Sequence, residues 1–168
     1  MKYLYGPVPS RRLGLSLGID LIPYKICSFD CIYCECGSTT NLSNKREEFK
    51  PVDKIIEELD QYLKDKPELD YITFSGSGEP TLYLHIGKIV DFLNEKYPEY
   101  DTALLTNSSL LSQKEVRDEI KNLDLIVPSL DSVIEDNYQK INRPHPDIKL
   151  KDIIDGLIKL RKEFQGKI

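Results

Sequence analysis

One stretch in the middle of the chain decides the fold, and it reads Tyr71-Ile72-Thr73-Phe74-Ser75-Gly76-Ser77-Gly78-Glu79-Pro80. Its first half is β-branched and aromatic, which favours a β-strand over residues 71–74. Its second half places two glycines before an acid, and glycines let backbone N–H groups approach a ligand closely. The loop lacks the lysine and the third glycine of the common phosphate-binding motifs. It therefore predicts a ligand site after a strand, with an ordinary βα turn as the competing interpretation.

The same strand-then-helix pattern recurs on both sides of this stretch. Short apolar runs predict further strands at 17–21, 102–106 and 125–127. Between and after them, apolar residues recur with the spacing of one helical face. The three longest faces are Val52, Ile55, Ile56, Leu59 and Leu63, then Ile86, Ile89, Val90, Leu93 and Tyr97, then Leu150, Ile153, Ile154, Leu157 and Phe164.

This alternation predicts an α/β fold in which parallel strands form a partial (βα) barrel of about four units. Residues 1–168 are expected to form one domain, the N-terminal part of that barrel. The alternation of strands and helices predicts another strand after Ile168, so the barrel is expected to be truncated at this point. The first and fourth predicted strands would then be open edges, and we expect association through them.

The composition narrows the classes of function. The net charge is −5, which disfavours non-specific binding of a phosphate backbone and leaves open only a local RNA contact at Arg11 and Arg12. No apolar run approaches the length of a membrane span, and the N-terminus does not resemble a signal peptide. The sequence therefore predicts a cytoplasmic protein with no membrane partner.

All four cysteines lie within ten residues, at positions 27, 31, 34 and 36. In a reducing compartment they are poor disulfide candidates, and their crowding indicates a metal. The run Cys27-Ser28-Phe29-Asp30-Cys31-Ile32-Tyr33-Cys34 has the spacing C-x3-C-x2-C, and thiolates are the ligands of iron–sulfur clusters. We therefore predict that Cys27, Cys31 and Cys34 bind a [4Fe–4S] cluster and leave its fourth iron free for another molecule.

The competing interpretation is a zinc knuckle in which Cys36 is the fourth ligand. Structural zinc sites usually pair two cysteine knuckles from different parts of a chain, and this chain has only one. A single residue separates Cys34 from Cys36, and ligands this close in sequence would strain the tetrahedral coordination of one zinc ion. The pattern favours iron–sulfur, with Cys36 as a bystander thiol.

Cys27–Cys34, with Tyr33 before the last cysteine, resembles the defining motif of the radical S-adenosylmethionine (SAM) superfamily. The string Gly6-Pro7-Val8-Pro9-Ser10-Arg11-Arg12-Leu13-Gly14, followed by Gly18–Pro23, resembles one branch of uncharacterised Fe–S oxidoreductases related to the tRNA wyosine-base synthases. The resemblance implies that the three cysteines hold the cluster and that SAM chelates its unique iron. It also implies that Tyr33 packs near the adenine.

The resemblance implies a SAM contact for Ser77, Gly78 and Glu79, which are in register with the family's Gly-Gly-Glu element. In the family this element holds the methionyl ammonium, and a carboxylate suits that cation.

Polar residues after the later strands are also expected to contact SAM. Asn107, Ser129 and Asp131 would face its carboxylate and ribose, although a helix cap or an Asx-turn is a competing role for each. Arg143 would contact an anionic group, with a solvated loop arginine as the alternative.

The implied function is reductive cleavage of SAM to a 5′-deoxyadenosyl radical, which abstracts hydrogen from an unidentified substrate. The electron would come from a donor such as flavodoxin or ferredoxin. Two other interpretations stay open. The chain could be an iron–sulfur or zinc module for structure or electron transfer without SAM chemistry, or a catalytically silent homologue.

Overall fold

The computed structural model describes all residues from Met1 to Ile168 and contains a five-stranded sheet and a separate two-stranded one. The order of strands in the larger sheet is β1-β2-β5-β6-β7. The strands are β1 (Leu4–Ser10), β2 (Gly14–Ile19), β3 (Ile26–Cys27), β4 (Asn41–Leu42), β5 (Tyr71–Phe74), β6 (Thr102–Thr106) and β7 (Leu125–Pro128).

The predicted parallel sheet is confirmed for four strands. β2, β5, β6 and β7 are parallel neighbours in chain order, so their carboxyl ends share one edge. The first of them lies at Gly14–Ile19 rather than at 17–21, because Leu21 has already left the ladder. Parallel order puts the loops after these strands side by side.

The prediction that the first parallel strand is an open edge was wrong. β1 pairs with β2 in antiparallel fashion, from Leu4 opposite Ile19 to Ser10 opposite Gly14. A hairpin of this kind needs only a short turn, here residues 11–13, whereas a parallel partner needs a long crossover. The edges are therefore β1 and β7, and β7 already carries a parallel bridge from Leu125 to Lys167.

Five α-helices connect and cover the strands, and none of them is both long and apolar enough to cross a membrane. They are α1 (Val52–Leu63), α2 (Ile86–Lys96), α3 (Lys114–Ile120), α4 (Glu135–Asn142) and α5 (Leu150–Glu163).

The core lies on one face of the sheet. Alternate strand residues such as Leu17, Phe74 and Leu104 are fully buried against apolar faces of α1, α2, α3 and α5. The opposite face carries apolar side chains such as Leu105 and Val127 together with the hydrogen-bonded pair Ser16 and Thr73 at 2.5 Å. The sheet is open, with β1 and β7 unpaired to each other. A mixed α/β fold is confirmed, and no closed barrel is present.

Helix α4 was not predicted from the sequence, and the reason is physical. Its eight residues contain only two apolar side chains, so no helical face is visible in the sequence. Its buried residues are Tyr138 and Asn142, and it ends at Arg143, which adopts a left-handed backbone with φ of 44°. Tyr138 packs edge-on against Phe29, in a small second core with Ile148, Leu150 and Ile153.

The interior of α5 allows one packing test. A Cβ built on Gly156 would lie 2.5 Å from the backbone nitrogen of Ser112. The better helix propensity of alanine is worth about 1 kcal/mol, but this overlap is with backbone that cannot turn aside. We expect Gly156→Ala to lower the free energy of unfolding by about 1–3 kcal/mol. Urea denaturation measures the change, with exposed Lys159→Ala as the control, and equal stability of the two variants would contradict the close packing.

Candidate metal centre at the carboxyl ends of the strands

The cysteine loop is held at its base by the two-stranded parallel pair of β3 and β4. Cys27 is paired with Leu42, and the chain between them folds into tight turns. In those turns the Cys34 N–H donates to the Cys31 carbonyl at 3.2 Å, and the Gly37 N–H donates to the Cys34 carbonyl at 2.9 Å. One loop therefore presents the predicted ligands with its own backbone largely satisfied.

The end of α4 supports this loop from the side. The Asp30 N–H donates to the Asn142 carbonyl at 3.0 Å, and the Ile32 N–H donates to the Ile141 carbonyl at 2.9 Å. The apolar parts of Cys27 and Cys31 pack against the small core around Phe29. Helix α4 is thus part of the site, although the sequence analysis did not detect it.

All four cysteines are free thiols of intermediate exposure. Burial raises the pKa of Cys27 to about 12, and burial is also the main reason that the pKa of Cys31 is raised. Burial therefore favours the protonated thiol form of these two side chains. Because iron–sulfur clusters bind thiolates, assembly must release these protons.

The glycine loop packs directly on the segment that leads into the cysteines. A Cβ built on Gly78 would lie 1.9 Å from the carbonyl oxygen of Ile26, so only glycine fits there. The preceding part of the loop is fastened to Asp20, which accepts hydrogen bonds from the Ser77 N–H at 3.1 Å and the Ser77 hydroxyl at 3.2 Å. The Ser77 side chain is therefore engaged with protein, while Gly78 lies against the cysteine loop.

Glu79 is a buried carboxylate that accepts hydrogen bonds from two loops. Its carboxylate is only 2% exposed and accepts hydrogen bonds from the Thr81 N–H and hydroxyl, the Thr106 hydroxyl and the Asn107 N–H. Burial raises its pKa, and these donors oppose that rise. The structure thus shows Glu79 fixing the loop after β6 relative to the loop after β5. A direct contact with a ligand ammonium stays a prediction.

Asn107 faces the cysteine loop. Its Oδ1 accepts from the Ser109 N–H at 3.0 Å, which is the Asx-turn named as the competing role. Its Nδ2 donates to the Ser28 hydroxyl at 2.8 Å and lies 3.7 Å from the Cys27 sulfur. The turn holds the amide in a position next to the predicted cluster.

Two of the other residues predicted to contact SAM, Tyr33 and Asp131, are hydrogen-bonded to each other. The Tyr33 hydroxyl donates to the Asp131 carboxylate at 2.6 Å, while 55% of Tyr33 remains exposed. Asp131 also accepts from Asn142 Nδ2 at 2.5 Å. The loop after β7 is thereby joined to the cysteine loop and to α4.

Ser129 and Arg143 lie apart from this network. The Ser129 side chain is exposed, and its hydrogen bonds in the structure use its backbone. The Arg143 side chain is 58% exposed and lies 3.6 Å from Asp30, as a solvated ion pair. The structure brings neither side chain to the cysteine sulfurs.

Two residues of the site were missed. The Lys25 side chain is almost fully buried, and its Nζ donates to the Cys34 sulfur at 3.0 Å and to the Gly37 carbonyl. Asn142 is 3% exposed, and its Nδ2 lies 3.5 Å from the Cys31 sulfur. A lysine between Tyr24 and Ile26 was a visible hint of a buried charge, whereas nothing in the sequence pointed to Asn142.

The residues present fit an iron–sulfur cluster better than a single ion. No three His, Cys, Asp or Glu side chains converge on one point as a mononuclear ion requires. The three cysteines of a cubane each bind a different iron, so they need not converge. Free thiols on one loop, side-chain N–H groups beside their sulfurs and a glycine backbone that admits close approach together suit a cluster.

Cysteines on a loop at the carboxyl ends of parallel strands define an α/β protein of the iron–sulfur class. Residues 21–167 match the family model described as the Radical SAM superfamily, and the chain belongs to that superfamily. Membership implies a [4Fe–4S] cluster and SAM as cofactors, which confirms those two predictions.

The chain is also similar to curated proteins and to a solved structure. The chain is 41% identical to a UPF0026 protein of Methanocaldococcus jannaschii over all of its length and 52% of that protein. It is 42% identical to a UPF0026 protein of Synechocystis sp., covering 98% of this chain and 62% of that protein. The crystal structure of archaeal TYW1 aligns with a TM-score of 0.57 at 18% identity, over 90% of this chain and 53% of that one, which is a likeness of fold. The chain thus spans little more than half the length of these proteins.

Gly78 allows a test of the close approach of the two loops. We expect Gly78→Ala to abolish cluster assembly, because the added methyl group overlaps the Ile26 carbonyl and must push the cysteine segment away. Iron and sulfide analysis after anaerobic reconstitution measures the loss. Ser77→Ala, which removes a hydroxyl without adding bulk, should keep most of the iron, and full loading of Gly78→Ala would show that the approach is not required.

Glu79 allows a pH test in the metal-free protein. We expect Glu79→Gln to lower the free energy of unfolding by about 1–3 kcal/mol, because an amide cannot accept from all of the donors. A carboxyl whose folded pKa is raised stabilises the fold below its unfolded pKa and loses that contribution as pH rises through the folded value.

The advantage of the unsubstituted protein over Glu79→Gln should therefore shrink as pH rises from acid to neutral. Denaturant unfolding at a series of pH values measures both free energies. An advantage that grows with pH would mean that the donors outweigh burial and that the pKa is lowered.

Proposed function

We propose that this chain is the cluster-carrying part of a radical SAM oxidoreductase. The observation that carries the proposal is the set of three free thiols, Cys27, Cys31 and Cys34, on one loop against Gly78 at the carboxyl edge of a parallel sheet. When bound, the reduced cluster and SAM supply one-electron cleavage to methionine and a 5′-deoxyadenosyl radical, which abstracts hydrogen from the substrate.

The protein's own residues bind and orient the cofactors. Cys27, Cys31 and Cys34 hold three irons. The backbone of the Gly76–Gly78 turn lines the methionine end of SAM, and Glu79 keeps that turn and the Asn107 loop in fixed relation. A turn held by a buried carboxylate loses little further entropy when a ligand binds.

The adenosine end of SAM is assigned to the opposite side of the loop. Tyr33 offers an exposed ring beside the last cysteine, and its bond to Asp131 fixes the orientation of that ring. In this proposal Ser129 and Arg143 lie at the edge of the SAM site. Their exposed side chains contact the ribose or an anionic group and do not hold the cluster.

The sheet forms part of a barrel wall in this proposal, with residues 1–168 as the N-terminal part of a radical SAM core. The face without helices carries Ser16, Gly18 and Thr73, which are buried, and the Tyr5 ring packs over Gly18. The substrate would lie over this face, close to the carboxyl ends of the strands. The net charge of −5 disfavours RNA as that substrate unless a local patch such as Arg11 and Arg12 provides the contact.

The electron donor is proposed to be a flavodoxin or a ferredoxin. Ile32 is 59% exposed beside Cys31, so a small redox protein can approach the loop there. Four unpaired cysteines suit a reducing compartment, and the cytoplasm is the location we propose.

A second candidate is an iron–sulfur or zinc module that lacks SAM chemistry. The observation behind it is Cys36, whose thiol lies 3.9 Å from the Gly76 carbonyl, close to the cysteine loop. Burial and the neighbouring Cys34 raise its pKa, and a metal would have to bind it as the thiolate. Filling the fourth corner of the cluster with Cys36 would close the position that SAM needs.

Paired substitutions of Cys34 and Cys36 separate the two candidates. We expect Cys34→Ala to lose the cluster, and Cys36→Ala to keep it together with its response to SAM, because only three thiolates are used. The measurements are iron and sulfide content, the EPR signal of the reduced cluster with and without SAM, and 5′-deoxyadenosine after dithionite reduction.

Two outcomes would contradict the enzyme proposal. If Cys36→Ala loses iron as fully as Cys34→Ala, the cluster has four protein ligands. A colourless protein that holds one zinc and no sulfide would exclude a cluster altogether. A loaded protein that binds SAM without forming 5′-deoxyadenosine would be a silent homologue or a protein missing its substrate.

A further inference from the structure

Each of the three cysteine sulfurs has its own side-chain N–H donor. Lys25 Nζ lies 3.0 Å from Cys34, Asn142 Nδ2 lies 3.5 Å from Cys31, and Asn107 Nδ2 lies 3.7 Å from Cys27. We call Lys25, Asn107 and Asn142 the donor set. Its members come from three separate parts of the chain, namely the segment before β3, the loop after β6 and the end of α4.

Lys25 is the strongest member of the donor set. Its side chain is almost fully buried, and its distance to a cysteine sulfur is the shortest of the three. A buried ammonium is costly unless it is paired, and no carboxylate forms a salt bridge with it. The protein partners of this cation are the Cys34 sulfur and the Gly37 carbonyl.

The two asparagines are neutral and held in place. The Asn107 side chain is fixed through its Asx-turn with Ser109, and the Asn142 side chain through Asp131. Asn142 is 3% exposed and its Oδ1 has no hydrogen-bond partner, so this amide is buried although one polar atom goes unsatisfied. An unsatisfied buried oxygen costs free energy, which is tolerated where the other end of the amide has a function.

Hydrogen bonds to cluster sulfurs have a known physical effect. Reduction adds an electron whose charge spreads onto the cysteine sulfurs, so donors and nearby positive charge stabilise the reduced state more than the oxidised one. The effect is larger away from water, where the effective dielectric constant is low. A buried ammonium beside one sulfur should therefore raise the reduction potential more than either amide does.

We propose that the donor set raises the reduction potential of the cluster, with Lys25 contributing most. This inference rests on the proposed function, because it assumes that Cys27, Cys31 and Cys34 hold the cluster. The competing interpretation is that Lys25 only ties the loop together through the Gly37 carbonyl. If Lys25 had only that structural role, its substitution would change the loading of the cluster or the stability of the protein but not the reduction potential of the cluster.

The test compares Lys25→Met with the unsubstituted chain, both reconstituted anaerobically and studied without SAM. Methionine keeps much of the length of the side chain and removes the charge and the donor. At one fixed potential, we expect the ratio of reduced to oxidised cluster in Lys25→Met to fall about tenfold, which is about 59 mV for one electron. EPR-monitored redox titration measures this ratio.

Two further variants complete the series. Asn142→Leu removes a neutral donor and should lower the ratio by a smaller factor than Lys25→Met. Exposed Lys64, at the end of α1, provides the matched control, and Lys64→Met should leave the ratio unchanged. An unchanged midpoint in loaded Lys25→Met would overturn the proposal, as would an equal shift in Lys64→Met.

A direct measurement covers the case in which Lys25→Met loads no cluster. Protein labelled with 15N-lysine is reconstituted without substitution, and pulsed EPR of the reduced cluster is recorded. A 15N coupling supports the lysine–sulfur contact, and its absence overturns the proposal. Failure of the unsubstituted chain to load a [4Fe–4S] cluster would count against the proposed function instead, so the two failures are distinguishable.

Discussion

The site depends on the close approach of two backbones, the glycine loop and the segment that enters the cysteine loop. Gly78 lies so near the Ile26 carbonyl that a single methyl group would overlap it. That contact sets how the turn expected to meet SAM faces the thiols expected to hold the cluster. Neighbouring parallel strands bring the two loops to the same edge, and the absence of a side chain lets them touch.

Two carboxylates connect the loops at that edge. Glu79 joins the loops after β5 and β6, and Asp131 joins the loop after β7 to Tyr33 and Asn142. Glu79 is buried and accepts from several donors, so moving either of its loops would leave a buried group unsatisfied, whereas Asp131 is exposed. A site built in this way is positioned by the protein before any cofactor arrives.

The antiparallel strand β1 changes the expected architecture on one side. It covers the edge that a sheet made only of βα units would leave open, and its start lies next to the end of β2. The sheet is therefore mixed, and on its face without helices the Tyr5 ring of β1 packs over Gly18 of β2.

The sequence by itself determined the parallel strands, the helical faces and the cysteine ligand pattern. Those features depend on local periodicity and spacing, as in Tyr71–Phe74 and Cys27–Cys34, and local features can be recognised one segment at a time. The tertiary structure alone decided the pairing of β1, the presence of α4, and the places of Lys25 and Asn142 beside the sulfurs. These depend on contacts between residues as many as 111 positions apart, and burial of a polar side chain is a property of its neighbours in space rather than in sequence.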